Sequence, residues 1–231
     1  MKKVLFACLG LAILAVSCKK SDPPVVVPSK FMTFTPGIQW NYETVDNIAI
    51  TTTPYTLTST SNDSTINSKV YHIFEYTDIN GTSHEYYNNT SNDYYQYAEL
   101  SAQLPALELK YLNDNTAAGG TWSQAFSTTQ QGVTITADIK STIEEKGNSL
   151  VVNGVTYNNV IKVKTEILNP TTDNPIVVID PITQSIHSYF APKYGLIKRE
   201  FQLHISGSIL GNSSDLINTN TTTNLLSSTV Q

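Results

Sequence analysis

The sequence predicts an all-β protein with one short helix or none, an antiparallel meander curled into a half-barrel or barrel, alternatively split into a sandwich. Three observations predict it. Apolar residues recur at every second position over long runs, two-residue Asn-Gly turns separate such runs, and hydroxyl and amide side chains are in excess. Thr, Ser and Asn number 30, 22 and 20 of 231 residues, while charged residues are only 14%, well below the usual quarter. The chain is long enough for one domain with a sizeable core. Its net charge of −5 argues against a nucleic-acid partner, because phosphate binding needs clustered Lys and Arg.

The first elements form an address. Met1-Lys2-Lys3 is a positive start, and Val4 to Val16 is an apolar run of 13 residues before Ser17-Cys18. Such a run is too short to span a bilayer, which takes roughly 20 apolar residues, and reads as a secretory signal. Leu14-Ala15-Val16-Ser17-Cys18 resembles the lipobox of bacterial lipoproteins, with Ala15 where leucine is commoner. The resemblance implies a signal peptide over 1–17, cleavage before Cys18 and acylation (palmitate or a similar lipid) of that cysteine. Cys8 leaves with the signal, so no disulfide is expected. Loss of Lys2 and Lys3 leaves 12 basic against 19 acidic side chains. Residues 18–30 hold three prolines between Pro23 and Pro28 and read as an extended tether. Lys19 after the cysteine lacks the aspartate that resembles an inner-membrane retention signal, which places the anchor in the outer membrane of a Gram-negative cell, on either face.

Residues 31–231 are expected to be a single antiparallel β domain with a polar C-terminal tail. Trp40 and Tyr42 share one face of an opening strand. Asn80-Gly81 joins the Val70–Tyr76 run to His84–Tyr87, and Asn153-Gly154 joins Leu150–Val152 to Val155–Tyr157. A type I′ turn needs positive φ at both central residues, which Asn tolerates and Gly adopts freely. Ala98 to Leu112 is the one plausible helix, broken by Pro105. Val133, Ile135, Ala137, Ile139 and Ile143 alternate with Thr, Asp, Lys and Glu, the clearest strand signal in the chain. Tyr157, Ile161, Val163 and Ile167 alternate similarly, as do Ile197, Phe201, Leu203 and Ile205. Pro192-Lys193-Tyr194-Gly195 reads as a longer turn before the last of these runs. From Gly211 the tail is polar enough to be loose, with Leu225-Leu226 adding at most an edge strand.

Two stretches carry a further resemblance: Pro36-Gly37-Ile38-Gln39-Trp40-Asn41-Tyr42, and Tyr189-Phe190-Ala191-Pro192-Lys193-Tyr194-Gly195-Leu196-Ile197-Lys198-Arg199. They resemble uncharacterised secreted β-sheet lipoproteins, and the architecture is distantly similar to the half-barrels that carry lipoproteins to their membrane. The resemblance implies a fold and no agreed activity. Within it, Lys198 and Glu200 face solvent and Arg199 points the other way, so it needs a carboxylate partner, a rim position or a ligand.

Catalytic signatures are sparse. His84-Glu85-Tyr86-Tyr87-Asn88 lacks the second histidine of a zinc-protease helix, and neither a Gly-x-Ser-x-Gly elbow nor a free mature cysteine is present. Glu144 and Glu145 are adjacent and are expected on opposite faces of a strand, a poor acid/base pair. Asp78-Ile79-Asn80-Gly81 and Asn113-Asp114-Asn115 read as turns rather than calcium loops. No metal, cofactor or catalytic residue is assigned. Binding candidates are Tyr86, Tyr87, Tyr94, Tyr95 and Arg199, since tyrosines give large contact area to glycan, peptide or lipid at low entropic cost; the alternative for the tyrosines is cross-strand packing. Asp63-Ser64-Thr65 resembles an acceptor for envelope O-glycosylation, at Ser64. The favoured function is a monomeric, non-enzymatic binding module of the cell envelope. The alternatives are a carboxylate-based envelope hydrolase and a carrier of acyl chains or lipoproteins.

Replacing Cys18 by Ser is expected to release the protein from the membrane fraction into the soluble fraction; continued sedimentation with membranes would refute the anchor.

Overall fold

The computed structural model describes residues 30–98, 107–130, 133–209 and 212–231. The expected signal peptide over 1–17, Cys18 and most of the expected tether over 18–30 lie outside the described residues. The described chain holds thirteen strands and no helix: β1 (Gln39–Asp46), β2 (Thr51–Ile66), β3 (Lys69–Asp78), β4 (Gly81–Thr90), β5 (Asp93–Ala98), β6 (Leu107–Asn113), β7 (Thr121–Gln130), β8 (Val133–Val152), β9 (Val155–Thr172), β10 (Val177–Ile179), β11 (Thr183–Ala191), β12 (Gly195–Ile209) and β13 (Asn212–Ser228). They form one sheet in the order β6-β5-β4-β3-β2-β1-β13-β12-β11-β9-β8-β7, with β10 attached to β12.

The topology follows from short turns. Consecutive strands pair antiparallel through hairpins, as a chain without crossover helices must. Two departures are local, β9 with β11 and β10 with β12; the long-range one is β1 with β13, whose register runs from Trp40↔Ser228 to Asp46↔Thr221. That pairing brings the two ends of the meander together and turns it into a nearly closed barrel. The opening falls between β6 and β7, which follow each other in sequence.

Alternation settles which side chains go inside. Ala137, Ser141 and Ile143 of β8 are buried, as the period of two requires. In β9 the rhythm slips: Tyr157 and Val160, three apart, are both buried because a bulge at Asn159, with φ 56°, inserts one residue. A second register shift, between Lys146 and Asn148 of β8, lies opposite Val160 and the equally buried Ile161. Asn153 and Gly154 have φ 49° and 78°, the type I′ geometry expected of their hairpin. The Asn80-Gly81 hairpin forms one residue earlier than expected. Asp78 pairs with Gly81, so Ile79 and Asn80 are the turn, and the positive φ falls on Gly81 at 130°. Asp78 Oδ1 accepts from the Asn80 amide at 2.7 Å, which favours this earlier turn.

Two further expectations are corrected. Leu107–Asn113 of the supposed helix is strand β6, where Leu112 is fully buried; residues 99–106 lie outside the described residues. The polar tail is neither loose nor an edge: β13 runs for 17 residues between β1 and β12. Threonine is a strand former, and its hydroxyls find partners here. Thr44 and Thr223 share a hydrogen bond of 2.9 Å, and Asn47 Nδ2 donates to Asn220 Oδ1 at 3.0 Å. Leu225 fills the core with no exposure.

A segment before β1 covers one end of the barrel. Lys193 N donates to Lys30 O at 2.7 Å, Gly37 N to Ser59 O at 2.8 Å, and Ser59 N to Ile38 O at 2.9 Å. Phe31 and Met32 enter the core beneath it. Gly195 meets two demands here. Its φ is 70°, and a Cβ on it would stand 3.1 Å from the Phe31 carbonyl.

At the open seam, β7 side chains stand in for missing backbone bonds. Gln124 Nε2 donates to the Glu108 carbonyl while its Oε1 accepts from the Lys110 amide at 3.3 Å. Trp122 Nε1 donates to the Lys110 carbonyl at 2.8 Å. The intervening turn is pinned to β8 through Gly119 N→Ile143 O at 2.7 Å and Ile143 N→Gly120 O at 3.0 Å. Gln124→Ala would strand a donor and an acceptor on β6, at a cost of about 1–3 kcal/mol in denaturant unfolding, with faster amide exchange at Lys110. The exposed Gln202→Ala is expected to stay within about 0.5 kcal/mol.

Candidate functional site

The inward rows of the sheet are aromatic. Tyr42 of β1 stacks on Tyr55 of β2 at 5.0 Å between centroids, and Tyr55 on Tyr76 of β3 at 4.8 Å. Phe74 meets Tyr87 edge-on at 5.0 Å, and Tyr111 of β6 lies 5.4 Å from Phe190 of β11. Such offset and edge contacts suit ring quadrupoles. Among these rings is a cavity of about 80 Å³ whose wall includes Trp40, Tyr42, Glu85, Gln96, Tyr111 and Arg199.

Its polar groups are unevenly matched. Glu85 is held by Tyr87, whose hydroxyl donates to Oε2 at 2.5 Å, and by a long 3.4 Å contact from Gln96 Nε2. Burial raises the Glu85 pKa, against the opposing effects of the Tyr87 hydrogen bond and the Arg199 charge. Burial also raises the Tyr42, Tyr87 and Tyr111 phenols, which stay protonated donors. The Tyr42 hydroxyl donates to the Leu196 carbonyl at 2.8 Å. Trp40 Nε1 is buried and has no hydrogen-bond partner among the described residues. Arg199, facing inward as expected, makes no ion pair or side-chain hydrogen bond with the described residues. The cavity wall thus includes one residue with a buried unpartnered donor, Trp40, and one cation without an ion pair among the described residues, Arg199.

The tyrosine candidates divide between the two faces. Tyr87 and Tyr94 face inward; Tyr86 and Tyr95, one residue away from each, lie on the outer face with Tyr97. Tyr87 borders the cavity. Tyr94 is fully buried, and its hydroxyl accepts from Phe31 N at 3.1 Å and donates to Asp114 Oδ2 at 2.7 Å. Tyr95 lies under Lys69, 5.0 Å from its ammonium. Ser64 pairs with Tyr71 on β2 and β3 and is partly exposed. Asp78 and Asn113 cap their own turns.

The expectation that Glu144 and Glu145 face opposite sides is overturned. A register shift between Ile143 and Glu145 lets both reach Lys162, at 2.9 Å and 3.7 Å. His187 Nε2 approaches Glu144 at 3.3 Å. Burial raises the Glu144 pKa, but Lys162 and His187 outweigh it and the net shift is downward. An ionised carboxylate held by a lysine on the outer face suits an ion-pair cluster better than proton transfer.

Of the residues that wall the cavity, Tyr87 and Arg199 are binding candidates from the sequence, whereas Trp40, Glu85, Gln96 and Tyr111 are not. Glu85 was legible in principle. It shares its parity with Tyr87, and a carboxylate on an inward row is a polar group seeking partners.

The fold and site define an all-β meander barrel with a small polar cavity. No protein-family model matches the chain, and no curated protein matches it in sequence. Among solved structures, the chain is similar in fold to a candidate lipoprotein from Parabacteroides distasonis ATCC 8503, at 15% identity and a TM-score of 0.51, over 87% of this chain and 99% of that one. A candidate exported protein with a YmcC-like fold from Bacteroides fragilis NCTC 9343 aligns over 87% of this chain and 99% of that chain, at 10% identity and a TM-score of 0.43.

The raised Glu85 pKa has a sign. The folded state binds the proton more tightly than the unfolded chain, so this group's contribution to stability is greatest in acid. It is lost as pH rises from the ordinary carboxylate range through the raised value, and is flat above. Glu85→Gln is therefore expected to melt higher than the parent at neutral pH, with the difference shrinking toward acid pH in paired thermal scans.

Proposed function

We propose that this chain is an exported, lipid-anchored binding module of the cell envelope that holds a small oxygen-rich ligand, a carboxylate or phosphate group, inside its barrel. The single observation that carries the binding reading is one aromatic-walled cavity bordered both by Trp40, whose buried Nε1 has no partner among the described residues, and by the half-buried Arg199, which forms no ion pair with them. A buried indole N–H without an acceptor is costly, and an oxyanion that also pairs with Arg199 meets that need. Arg199 suits a planar carboxylate or a phosphate through its fork of donors. Glu85 at the same wall would select against a bare, highly charged anion and favour a ligand that also offers a donor.

Size supports a small guest. About 80 Å³ takes several waters or a small oxyanion and is well below the roughly 300–1,000 Å³ of pockets for larger ligands. That disfavours the acyl-chain carrier. Export is supported by the signal-like start and the Leu14–Cys18 motif, and by the likeness to the Parabacteroides candidate lipoprotein.

In thermal-shift titrations with acetate, glycine and inorganic phosphate at millimolar concentration, at least one is expected to raise the melting temperature by mass action. Arg199→Gln should abolish that shift. No stabilisation by any of the three, or an equal shift in Arg199→Gln, would reject the cavity as an oxyanion site.

A further inference from the structure

A second cluster, apart from the cavity, has the connectivity of an acyl-transfer centre. His72 of β3 stands between two residues of β2. Its Nδ1 lies 2.8 Å from Asp63 Oδ1 and its Nε2 lies 3.0 Å from Ser59 Oγ. A carboxylate only accepts, so the Nδ1 proton faces Asp63, and a ring with one proton leaves Nε2 to accept from the Ser59 hydroxyl. Serine, general base and orienting acid are therefore in the order and on the ring nitrogens that nucleophilic catalysis requires.

The backbone builds this arrangement with a bulge. Ser59 pairs with Phe74 and Asp63 with His72, so residues 60–62 of β2 oppose Ile73 alone, and Thr60 Oγ1 holds the excursion by donating to the Ile73 carbonyl at 2.7 Å. An unbulged strand would set Ser61, not an acid, opposite His72. The imidazole is fixed between two rings, stacked on Phe34 at 5.2 Å and 18° and edge-on to Phe74 at 5.3 Å. Ser59 is only 1% exposed and lies under the covering segment, bonded to Gly37 and Ile38.

We propose that Ser59 is a nucleophile activated by His72 and Asp63, acting on an ester or thioester with an apolar acyl group, and that the segment bearing Phe34 gates access to it. The rings that flank His72, Phe34 and Phe74, with Trp40 5.8 Å beyond Phe74, set the preference for an apolar acyl group. Ser59 Oγ bonds to the acyl carbon as its proton passes to His72 Nε2, and Asp63 balances the imidazolium. The acyl–oxygen or acyl–sulfur bond breaks, and the leaving alcohol or thiol takes that proton from His72. Water then attacks the acyl-serine, yields a proton to His72, and releases the carboxylic acid as Ser59 recovers its hydrogen. This activity does not depend on the cavity ligand.

The test is labelling of the purified full-length protein with a fluorophosphonate, which joins phosphorus to a nucleophilic serine with loss of fluoride. One adduct per chain is expected, located at Ser59 by peptide mass and absent from Ser59→Ala. Labelling should slow by about 100-fold or more in His72→Gln, slow also in Asp63→Asn, and quicken in Phe34→Ala. Asp63 is well exposed, so Asp63→Asn reports on the base if His72→Gln fails to fold. Absence of a Ser59 adduct in both the parent and Phe34→Ala would overturn the proposal. So would labelling at an undiminished rate in folded His72→Gln or Asp63→Asn, because a purely structural hydrogen-bond chain activates nothing.

Discussion

A rolled sheet must fill its own inside, and that constraint organises this protein. Twelve strands around one ring enclose more width than aliphatic side chains from alternate positions can occupy. The inward rows answer with Trp40, Tyr42, Tyr55, Phe74, Tyr87, Tyr94, Tyr111 and Phe190, each large enough to reach past the barrel wall. Phe31 and Met32 enter from one end, where strands alone leave a mouth. A Leu-filled interior of this width would hold voids, and a void forfeits contacts on every atom that lines it.

Filling with tyrosine and tryptophan brings polar atoms inward, and the fold must place each one. Tyr42 bonds the Leu196 carbonyl and Tyr94 bridges Phe31 and Asp114. Where strands fail to pair, side-chain amides act as single residues of a missing strand. Gln124 does so at the β6–β7 seam. Gln184 does the same for β9, accepting from Ile167 N at 2.7 Å and donating to Ile167 O at 2.8 Å. The high amide content of the chain thus has a second use beyond turns. Against this background of satisfied groups, Trp40 Nε1 stands out as a buried donor without a partner among the described residues.

Much of the fold was legible because alternation and turn chemistry are local. The β8 run, the Asn153-Gly154 hairpin and the inward direction of Arg199 each follow from a few consecutive residues. What escaped depends on bulges, since one inserted residue flips every later side chain. Strict alternation puts Glu144 and Glu145 on opposite faces, but a register shift between Ile143 and Glu145 brings both to Lys162. Ser59, His72 and Asp63 lie on two strands around a three-residue excursion, and no spacing within either strand marks them. The β13 reading failed for another reason. Polarity measures affinity for water, whereas threonine's branched β-carbon favours a strand whatever its polarity.

The union of β1 with β13 also sets a timetable. Its contacts join residues separated by nearly the full length of the described chain, as in the 190 positions between Gln39 and Thr229. β1 therefore has β2 on one side and an open edge on the other until the final strand is available. Long-range pairing of this kind is slow to form, because the intervening loop must close first. A sheet whose two halves join only through its last strand stays incomplete throughout synthesis.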